Sequence, residues 1–483
     1  MELWYSLGCF IRMKKTYIDF IQERYDFPQK GLKLENNQLT FNGVDIQGLI
    51  KEHGTPLKLT YLPKISTQIQ TAKDLFEQAF QSYNYQGQYY FCYCTKCNHL
   101  YPVVNKALEA GIHLETSSAL DIELIKELEG KGKVTKEQTV LLHNGYKTAA
   151  YLQKIVALTK AGYQQSITIL DNQQELHHLE RYWTPQDAPM KIGLRMAVNQ
   201  ESTAPYRTSR LGIPAADILS FVKEALLDNP KVEFKMLHFF VDSGIKNTAY
   251  YWSEFQRALT LYITLQKEVP SLTDFNLGGG FPIANQLGFE YDYQGIVNKM
   301  VSTIQIACKN ENVPVPNIFT EFGRYTVGES GAIIFEVLGQ KKQNEEECWY
   351  LINNSLMNTI PDAWSIQEKF ILLPINKWDQ SYQSVTIGGI SCDYADYYQE
   401  EYTKGGLHLP SYEEEKNETP LYLGFFHTGA YQDAISGYGG IKHCLIPAPK
   451  HLILDRDVEG NLVESVYGSE ESTGDVFQLL GYT

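Results

Sequence analysis

The sequence predicts an α/β protein: a closed (β/α)8 barrel of the TIM type, with a β-rich domain formed by the C-terminal and N-terminal segments together. Between residues 57 and 330, eight β-rich runs alternate with helical patterns, as strands and helices do in such a barrel. After Gly331 the helical patterns largely vanish, and short runs of strand character are separated by turn residues. On periodicity alone, an open doubly wound sheet is the main alternative for the alternating region. We therefore expect an N-terminal part of the β domain at 1–56, the barrel at 57–330 and the C-terminal β-rich domain at 331–483.

The first segment has the pattern of a short helix, a hairpin and a second helix. The helix is expected at 17–24, and residues 32–35 and 38–41 alternate apolar and polar side chains on either side of a turn, which predicts the hairpin. Asp45 is a typical N-cap, and Gly54 is expected to end the helix that it starts.

The barrel strands are predicted from apolar, β-branched and aromatic runs bounded by turn residues. These runs lie at 89–96, 112–116, 139–143, 166–170, 191–197, 234–240, 274–277 and 317–321. The helical patterns between them include 119–129, 149–160, 215–227, 250–266 and 293–309. Strand runs after the barrel lie at 332–338, 348–352, 370–373, 384–390, 421–426 and 450–455. Chemistry in a barrel belongs at the C-terminal ends of its strands, so functional residues are expected there.

Composition limits the partners and the compartment. A formal net charge of −15 over 483 residues argues against nucleic acid and acidic membranes as main partners. No apolar run is long enough to span a membrane, and the apolar start at 1–12 lacks the basic region of a signal peptide, so we interpret it as a dispensable extension or misplaced start. Eight cysteines are too sparse for a disulfide framework and fit a reducing cytoplasm. Cys92, Cys94 and Cys97 lie close together, but no second Cys or His pair has zinc-like spacing, so no metal site is predicted.

A lysine closes the first predicted barrel strand. In a strand over 89–96, Tyr90, Cys92, Cys94 and Lys96 share one face. An ionised, unpaired lysine on a buried face costs several kcal/mol. Lys96 is therefore either exposed at the strand end, or desolvated with a lowered pKa, so that its amine reacts with aldehydes.

Other strand ends carry residues suited to binding. His238 ends the sixth strand, Gly278-Gly279-Gly280 follow the seventh, and Glu321 and Arg324 follow the eighth. Consecutive glycines expose backbone N–H groups, which suits a phosphate. Taken singly, the histidine fits a core position, the glycines a tight turn, and the charged residues a surface ion pair. Their joint placement at the strand ends of one barrel favours a functional site.

These residues stand in motifs that resemble those of the pyridoxal-phosphate decarboxylases with an alanine-racemase-like barrel, which include ornithine, diaminopimelate and arginine decarboxylases. The segment 360–366, with Pro361-Asp362-Ala363-Trp364, is most similar to arginine decarboxylases. Two positions depart from the family pattern: the spacing from His238 to Ser243 is altered, and Phe322 stands where proline is common. The motifs extend over both domains and are Thr95-Lys96-Cys97-Asn98, 277–282, Glu321-Phe322-Gly323-Arg324-Tyr325, Ser391-Cys392-Asp393 with Asp396, and Gly429-Ala430-Tyr431-Gln432.

The resemblance implies a role for each residue towards pyridoxal 5'-phosphate. Lys96 would hold the cofactor covalently and exchange it for the substrate amine. Glu321 would pair with the pyridine nitrogen and keep the ring protonated, while His238 would stack on the ring. The phosphate would be bound by Gly278, Gly279, Gly280, Ser243, Arg324 and Tyr431.

The remaining motif residues would act on the substrate. Cys392 would return a proton to Cα after CO2 leaves, although alone it fits a buried structural thiol equally well. Asp393, Asp396 and Asp362 could meet the distal cation, because a guanidinium pairs bidentately with a carboxylate. By resemblance, Cys392 and Asp393 would act across a dimer interface, which makes a homodimer or a larger assembly the active unit.

The expected function is decarboxylation of L-arginine to agmatine and CO2 in polyamine biosynthesis, including that of spermidine. The sequence gives no support for a requirement for Mg²⁺. The alternatives are a decarboxylase of ornithine, lysine or diaminopimelate, a racemase, or a catalytically silent relative that acts as a regulatory binding protein. The last is disfavoured by the intact set of Lys96, Glu321, Arg324, Cys392 and Tyr431.

Overall fold

A computed structural model describes residues 15–200, 207–345, 347–399, 406–412, 419–437 and 443–482. The extension expected at 1–12 lies outside the described residues. In the part of the chain that is described, no helix has the length and apolar character that a bilayer span needs.

The N-terminal segment folds as its pattern predicts. Asp45 accepts a hydrogen bond from the backbone N–H of Gly48 and so caps the second helix, which Gly54 ends at a φ of +77°. The elements are α1 (Tyr17–Gln22), β1 (Leu32–Glu35), β2 (Gln38–Phe41), β3 (Val44–Asp45), α2 (Ile46–His53) and β4 (Leu57–Tyr61).

A closed barrel of eight parallel strands comes next, which confirms the predicted fold class. Its strands are β5 (Tyr89–Cys94), β6 (His113–Thr116), β7 (Leu141–His143), β8 (Ser166–Leu170), β9 (Met190–Ala197), β11 (Val232–Phe239), β12 (Asp274–Asn276) and β13 (Asn317–Thr320), with the short β10 (Ile213–Pro214) beside β9. Strand β8 pairs with β9 and β13 pairs with β5, so the sheet has no open edge. The open doubly wound alternative is therefore wrong.

The helices form the outer layer of the barrel. On α3 the buried residues Ile65, Ile69, Ala72, Phe76 and Ala79 recur every three or four positions, which gives the helix one apolar face towards the strands. The helices are α3 (Leu62–Tyr83), α4 (Tyr101–Glu109), α5 (Ala119–Gly130), α6 (Ala149–Lys160), α7 (Gln174–Glu180), α8 (Ala215–Phe221, continued by a π-helical turn at Val222–Leu226), α9 (Ala249–Glu268), α10 (Tyr293–Asn310) and the short α11 (Gly323–Val327).

Apolar side chains fill the inside of the barrel. Cys92 belongs to this cluster and is fully buried, so it acts as a small core residue. The cluster consists of Cys92, Val140, Leu142, Ile167, Ile169, Met236 and Phe319. The closed, packed interior leaves the C-terminal mouth of the barrel as the place for a site.

The rest of the chain forms a β-rich domain. Its strands are β14 (Gly331–Lys342), β15 (Cys348–Ile352), β16 (Ile371–Pro374), β17 (Tyr382–Gly388), β18 (Tyr397–Tyr398), β19 (Leu407–Pro410), β20 (Tyr422–Phe426), β21 (Lys450–Arg456) and β22 (Leu462–Gly468). Short helices in its described residues correct the expectation that helices largely vanish: α12 (Leu356–Thr359), α13 (Pro361–Ser365), α14 (Gln432–Ser436) and α15 (Thr473–Leu480).

The N-terminal segment completes this second domain. Strand β4 pairs antiparallel with β14 and parallel with β21, so it lies in the sheet of the β domain, although the expected boundary at residue 57 assigned it to the barrel. Tyr17 and Phe27 of the N-terminal segment pack on Trp378, each with ring centroids 5.1 Å apart. The barrel elements accordingly begin with α3 at Leu62.

Candidate active site

The mouth of the barrel opens into a cavity of about 740 Å³. Residues from the ends of β5, β9, β11 and β13 line it, together with residues of the β domain. Most of the residues that the sequence singles out meet here: Lys96, His238, Ser243, Gly279, Gly280, Glu321, Arg324, Asp362 and Tyr431.

Lys96 lies on a turn rather than on the strand. Strand β5 ends at Cys94, and a 3-10 turn over Thr95–Cys97 carries the lysine, so the expected alternation of faces stops before Lys96. The Thr95 hydroxyl holds this turn by hydrogen bonding to the Glu115 carbonyl and the Asp121 carboxylate, both at 3.1 Å.

Glu115 pairs with this lysine, and sequence reasoning missed it. Lys96 Nζ donates to Glu115 Oε2 at 2.5 Å, and Glu115 is 1% exposed. Cys94 and Glu115 are direct partners in the β5–β6 register, which brings the carboxylate beside the lysine turn. The sequence did contain a signal for Glu115, because it is the next-to-last residue of the predicted strand that follows the Lys96 strand.

Burial and the charges around Lys96 and Glu115 together shift the pKa values of both groups. Burial disfavours the Lys96 ammonium, but neighbouring Cys94, Glu115 and Glu321 outweigh it and raise the Lys96 pKa well above its ordinary value. The lowered lysine pKa expected from burial is therefore wrong for the free amine. Burial raises the pKa of Glu115 to about 7, against the opposing charge of Lys96.

Glu321 is an ionised carboxylate at the base of the cavity. Asn276 Nδ2 donates to its Oε1 at 2.8 Å and Asn144 Nδ2 donates to its Oε2 at 3.2 Å. Burial opposes ionisation, but His238, Lys96 and the Asn276 amide together lower the Glu321 pKa to about 2. Neither asparagine was predicted, although both follow strand signals: Asn276 ends β12 and Asn144 comes directly after β7.

His238 presents a neutral ring to the cavity. The side chain is fully buried, and its Nε2 lies 3.4 Å from Glu321 Oε1. Among the described residues, neither ring nitrogen has a hydrogen-bond partner of acceptable geometry. Burial lowers the His238 pKa, so the imidazole is uncharged at neutral pH.

The glycine loop is packed too closely for any side chain. A Cβ on Gly279 would lie 2.5 Å from the Glu321 carbonyl oxygen, and one on Gly280 would lie 2.8 Å from Gly244 Cα. Gly278 and Gly280 have φ values of +69° and +108°, which glycine adopts without strain. Gly279 and Gly280 line the cavity, and within the described chain their N–H groups have no acceptor, so two amides point to an anion site. Ser243 lines the same cavity despite its altered spacing from His238.

Arg324 of α11 and Tyr431 of the β domain lie together at another side of the cavity. The Arg324 guanidinium lies 5.2 Å from the centre of the Tyr431 ring. It also contacts two carboxylates, with Nη2 at 3.6 Å from Asp362 Oδ2 and Nη1 at 3.3 Å from Glu368 Oε1. Asp362 is 1% exposed and accepts a further hydrogen bond from Gln432 Nε2 at 3.0 Å. The Asp362 carboxylate therefore holds Arg324 within one chain.

Phe322, where proline is common in the family, packs the glycine loop. Its ring stacks on Phe281 with centroids 4.0 Å apart and planes 11° from parallel. The stack ties the loop after β12 to the turn after β13, which carries Glu321.

Cys392, Asp393 and Asp396 belong to a different place. In the described part of the chain, none of them lines the cavity. Asp396 is 5% exposed and accepts backbone hydrogen bonds from Leu356, Met357 and Ser391, at 2.8, 3.2 and 3.1 Å. Both of its oxygens accept hydrogen bonds from backbone amides, which supports a structural role, and contact of Asp396 with substrate stays a prediction. Cys392 is exposed, and Asp393 Oδ1 accepts from the Ala395 N–H at 2.8 Å.

The residues that meet in the cavity fit pyridoxal phosphate. They offer an amine at Lys96, two loop amides that have no acceptor among the described residues, and an ionised carboxylate at Glu321. In the described part of the chain the buried ring nitrogens of His238 also lack a hydrogen-bond partner of good geometry, and a polar group bound in the cavity could supply one.

Comparison with known proteins gives the same result. The sequence profile of the family described as pyridoxal-dependent decarboxylase, pyridoxal binding domain, matches residues 66–328. A biosynthetic arginine decarboxylase of Prochlorococcus marinus (strain MIT 9215) is 22% identical, and the match covers 90% of this chain and 83% of the relative. The crystal structure of the biosynthetic arginine decarboxylase from Campylobacter jejuni superposes with a TM-score of 0.78 at 20% identity, over 97% of this chain and 90% of the other. A diaminopimelate decarboxylase from M. jannaschii gives a TM-score of 0.76 at 17% identity, over 93% and 97%.

Proposed function

The chain belongs to the pyridoxal-dependent decarboxylases, and on that premise we propose that it decarboxylates L-arginine to agmatine and CO2 for polyamine biosynthesis. The observation that carries the choice of substrate is the match to biosynthetic arginine decarboxylases over 90% of the chain, through both domains. The runner-up is a decarboxylase of another basic amino acid, which the similarity to diaminopimelate decarboxylases favours. The sparse cysteines, eight in 483 residues, support a reducing compartment such as the cytoplasm.

Bound pyridoxal phosphate supplies an electron sink for the pair that the departing carboxylate leaves on Cα. Around it, Lys96 would hold the cofactor through its side-chain amine, which the substrate amine would replace. Glu115 Oε2 is placed to exchange a proton with Lys96 Nζ, because the two atoms lie 2.5 Å apart. Glu321 stays ionised and holds a proton on the ring nitrogen, while neutral His238 supports the ring without adding charge.

The phosphate end is held from two sides. The N–H groups of Gly279 and Gly280 bind it from the barrel, with Gly278 shaping the loop, and Ser243 lies beside them. On the other side, Arg324 of α11 and Tyr431 of the β domain would bind it. We assign Asp362 to the positioning of Arg324, since its carboxylate contacts that guanidinium and Gln432.

The substrate side of the site is completed by a second copy of the chain. Cys392 would return the proton to Cα, and Asp393 would pair with the guanidinium of arginine. Both residues lie outside the cavity of their own chain, which supports a shared site. Exposed apolar side chains beside Cys392 and at the rim of the cavity also support it. Tyr394, beside Cys392 and Asp393, is 93% exposed, while Trp364 and Ile366 near the cavity rim are 42% and 61% exposed. A homodimer would cover these surfaces together.

The substrate is tested by CO2 release from arginine, ornithine, lysine and diaminopimelate, with purified protein supplied with pyridoxal phosphate. Arginine is expected to have the highest kcat/KM, and the Lys96→Ala variant gives the background. Preference for another amino acid would keep the family chemistry and discard arginine. Cofactor binding without CO2 release from any of the four would favour a racemase or a regulatory relative.

The shared site is tested by mixing two variants that are inactive for different reasons. Lys96→Ala lacks the residue that holds the cofactor, and Cys392→Ala lacks the proposed proton donor. Random exchange makes half of the dimers mixed, each with one intact site, so activity is expected to recover to about a quarter of the wild-type value. Verified subunit exchange without recovery would show that each site is complete within one chain.

A further inference from the structure

The turn that carries Cys392 meets a second thiol and an imidazole. Cys392 Sγ lies 3.3 Å from Cys444 Sγ, and His443 Nδ1 lies 3.1 Å from the same Cys444 sulfur. The three atoms all lie within 4.8 Å of one another. The two parts of the cluster are 52 residues apart in sequence, so the fold, not local spacing, brings them together.

We propose that Cys392, His443 and Cys444 form a binding site for a thiophilic divalent cation of the Zn²⁺ type. Two thiolates and an imidazole are ligands that this class of ion prefers, with a water molecule left for the fourth position. Tetrahedral coordination at ordinary Zn–S and Zn–N bond lengths separates such ligand atoms by about 3.5–3.8 Å. The observed 3.1 and 3.3 Å separations need only a small expansion to reach it.

The imidazole is already turned for this role. Its Nδ1 faces the sulfur of Cys444, while its Nε2 lies 3.8 Å from Asp393 Oδ2 on the other side of the ring. A carboxylate on the Nε2 side favours a proton on that nitrogen and leaves Nδ1 free for a metal, as is usual for metal-binding histidines.

Both parts of the cluster are anchored on the same short helix, α12. Asp396 ties the N–H of Ser391 to those of Leu356 and Met357, which places the Cys392 turn. On the other part, Asn358 Nδ2 donates to the His443 carbonyl at 3.3 Å. Cys444 has a φ of +57°, a conformation rare for residues other than glycine, and this backbone turn accompanies the close approach of its sulfur to Cys392. The ligands are thus held by the fold before any ion arrives.

Occupancy would inhibit the enzyme reversibly. Each thiol that binds the ion releases its proton to solvent, and a Cys392 sulfur bound to metal has no proton to return to Cα. This consequence rests on the proposed role of Cys392, whereas binding of the ion does not.

The test uses the holoenzyme under reducing, chelator-free conditions, with Co²⁺ as a spectroscopic probe and Zn²⁺ as its competitor. One Co²⁺ per chain is expected, with the charge-transfer absorption of thiolate ligands, and Zn²⁺ should displace it. Zn²⁺ should also inhibit decarboxylation, and a chelator should restore it. Cys444→Ser is expected to keep cofactor absorbance and basal activity while weakening both Co²⁺ binding and Zn²⁺ inhibition at least about tenfold.

Cys348→Ser is the matched control, because this half-buried thiol lies on β15 outside the cluster, and it should behave as wild type. His443→Gln repeats the test from the nitrogen ligand, in case Cys444→Ser does not fold. Absence of the thiolate absorption, or equal losses in Cys348→Ser and Cys444→Ser, would overturn the site. Cluster-dependent binding without inhibition would keep the site and refute the role proposed for Cys392.

Discussion

At the barrel mouth, the buried carboxylates of Glu115 and Glu321 lie beside Lys96, whereas Cys392 is exposed on a turn that Asp396 holds to helix α12. In the barrel, each functional side chain follows a strand whose pairing fixes its place. The Cys392 turn is instead held in place by one buried carboxylate, that of Asp396, and by contacts between loops.

This difference between the barrel mouth and the Cys392 turn suggests that the first binds the cofactor and the second completes the site of another chain. The barrel side can hold a cofactor within a single chain, because its amine, carboxylate and amides already face one cavity. The Cys392 turn presents a thiol and a carboxylate outward, which suits a group that completes another site. The order in which substitutions at the two places damage the enzyme would sharpen or break this division.

The largest effect is expected from Lys96→Ala. Loss of the amine that holds the cofactor should reduce kcat/KM by about four orders of magnitude and remove the visible absorbance of the bound cofactor. Lys126→Ala, which removes an exposed lysine on α5, is the control. Retained absorbance in Lys96→Ala would place cofactor attachment elsewhere and undo the assignment of the barrel mouth.

The next largest effect is expected from Cys392→Ala. Loss of a general acid costs about 100-fold in kcat, while cofactor absorbance stays, because the cavity of the same chain does not include this residue. Both quantities are measured on one preparation, with Cys348→Ala as the control thiol. Unchanged kinetics would make Cys392 structural, and lost absorbance would show that the two places are not separate.

The sequence was sufficient to predict which residues meet at the mouth of the barrel, because the strand ends of a closed barrel converge whatever the intervening helices are. Lys96, His238, Glu321 and the glycine loop were predicted in this way and line one cavity, and the fold class was confirmed. Glu115 was not predicted, because its contact with Lys96 depends on the pairing of Glu115 with Cys94 on the neighbouring strand. No local sequence pattern shows that pairing.

Sequence signals were weaker in the β domain for the same reason. Asp396 stands near Cys392 in sequence and so looked like a substrate ligand, but its neighbours in space are three backbone amides. The contact between Cys392 and Cys444 joins two loops that share no periodic signal. Strand β22 was not predicted, since it is exposed along most of its length and lacks an alternating apolar face.

A smaller effect, on stability, is expected from Glu115→Gln in cofactor-free protein. Burial raises the pKa of Glu115 from 4.5 to about 7, so its stabilising contribution is fully present below about 4.5 and is lost as pH rises through 7. Between pH 5 and 7.5 the unfolding free energy of the wild type should fall by about 2 kcal/mol relative to the variant.

Glu321→Gln is the matched control for this titration, measured by the same denaturant unfolding curves. Its folded pKa of about 2 is below the ordinary value, so its contribution is fully present above about 4.5 and is lost only as pH falls through 2. The titration of Glu321 itself therefore adds little slope from pH 5 to 7.5, and the slope expected in this difference is the smaller one that arises because the Glu321 charge helps to raise the Glu115 pKa. A flat profile for Glu115→Gln would mean that the buried pair with Lys96 does not control ionisation at the barrel mouth.

The smallest kinetic effect separates the two aspartates of the Cys392 turn. Asp393→Asn should raise the KM for arginine at least about tenfold, because a charged partner of the guanidinium becomes neutral. Asp396→Asn should change KM less than about twofold but lower the thermal midpoint, since the Asn side chain has a single acceptor oxygen and cannot satisfy all three N–H groups that the carboxylate now binds. Both variants are compared by substrate titration and thermal unfolding. A large KM effect for Asp396→Asn with an unchanged midpoint would return Asp396 to the substrate and show that the turn rearranges when the dimer forms.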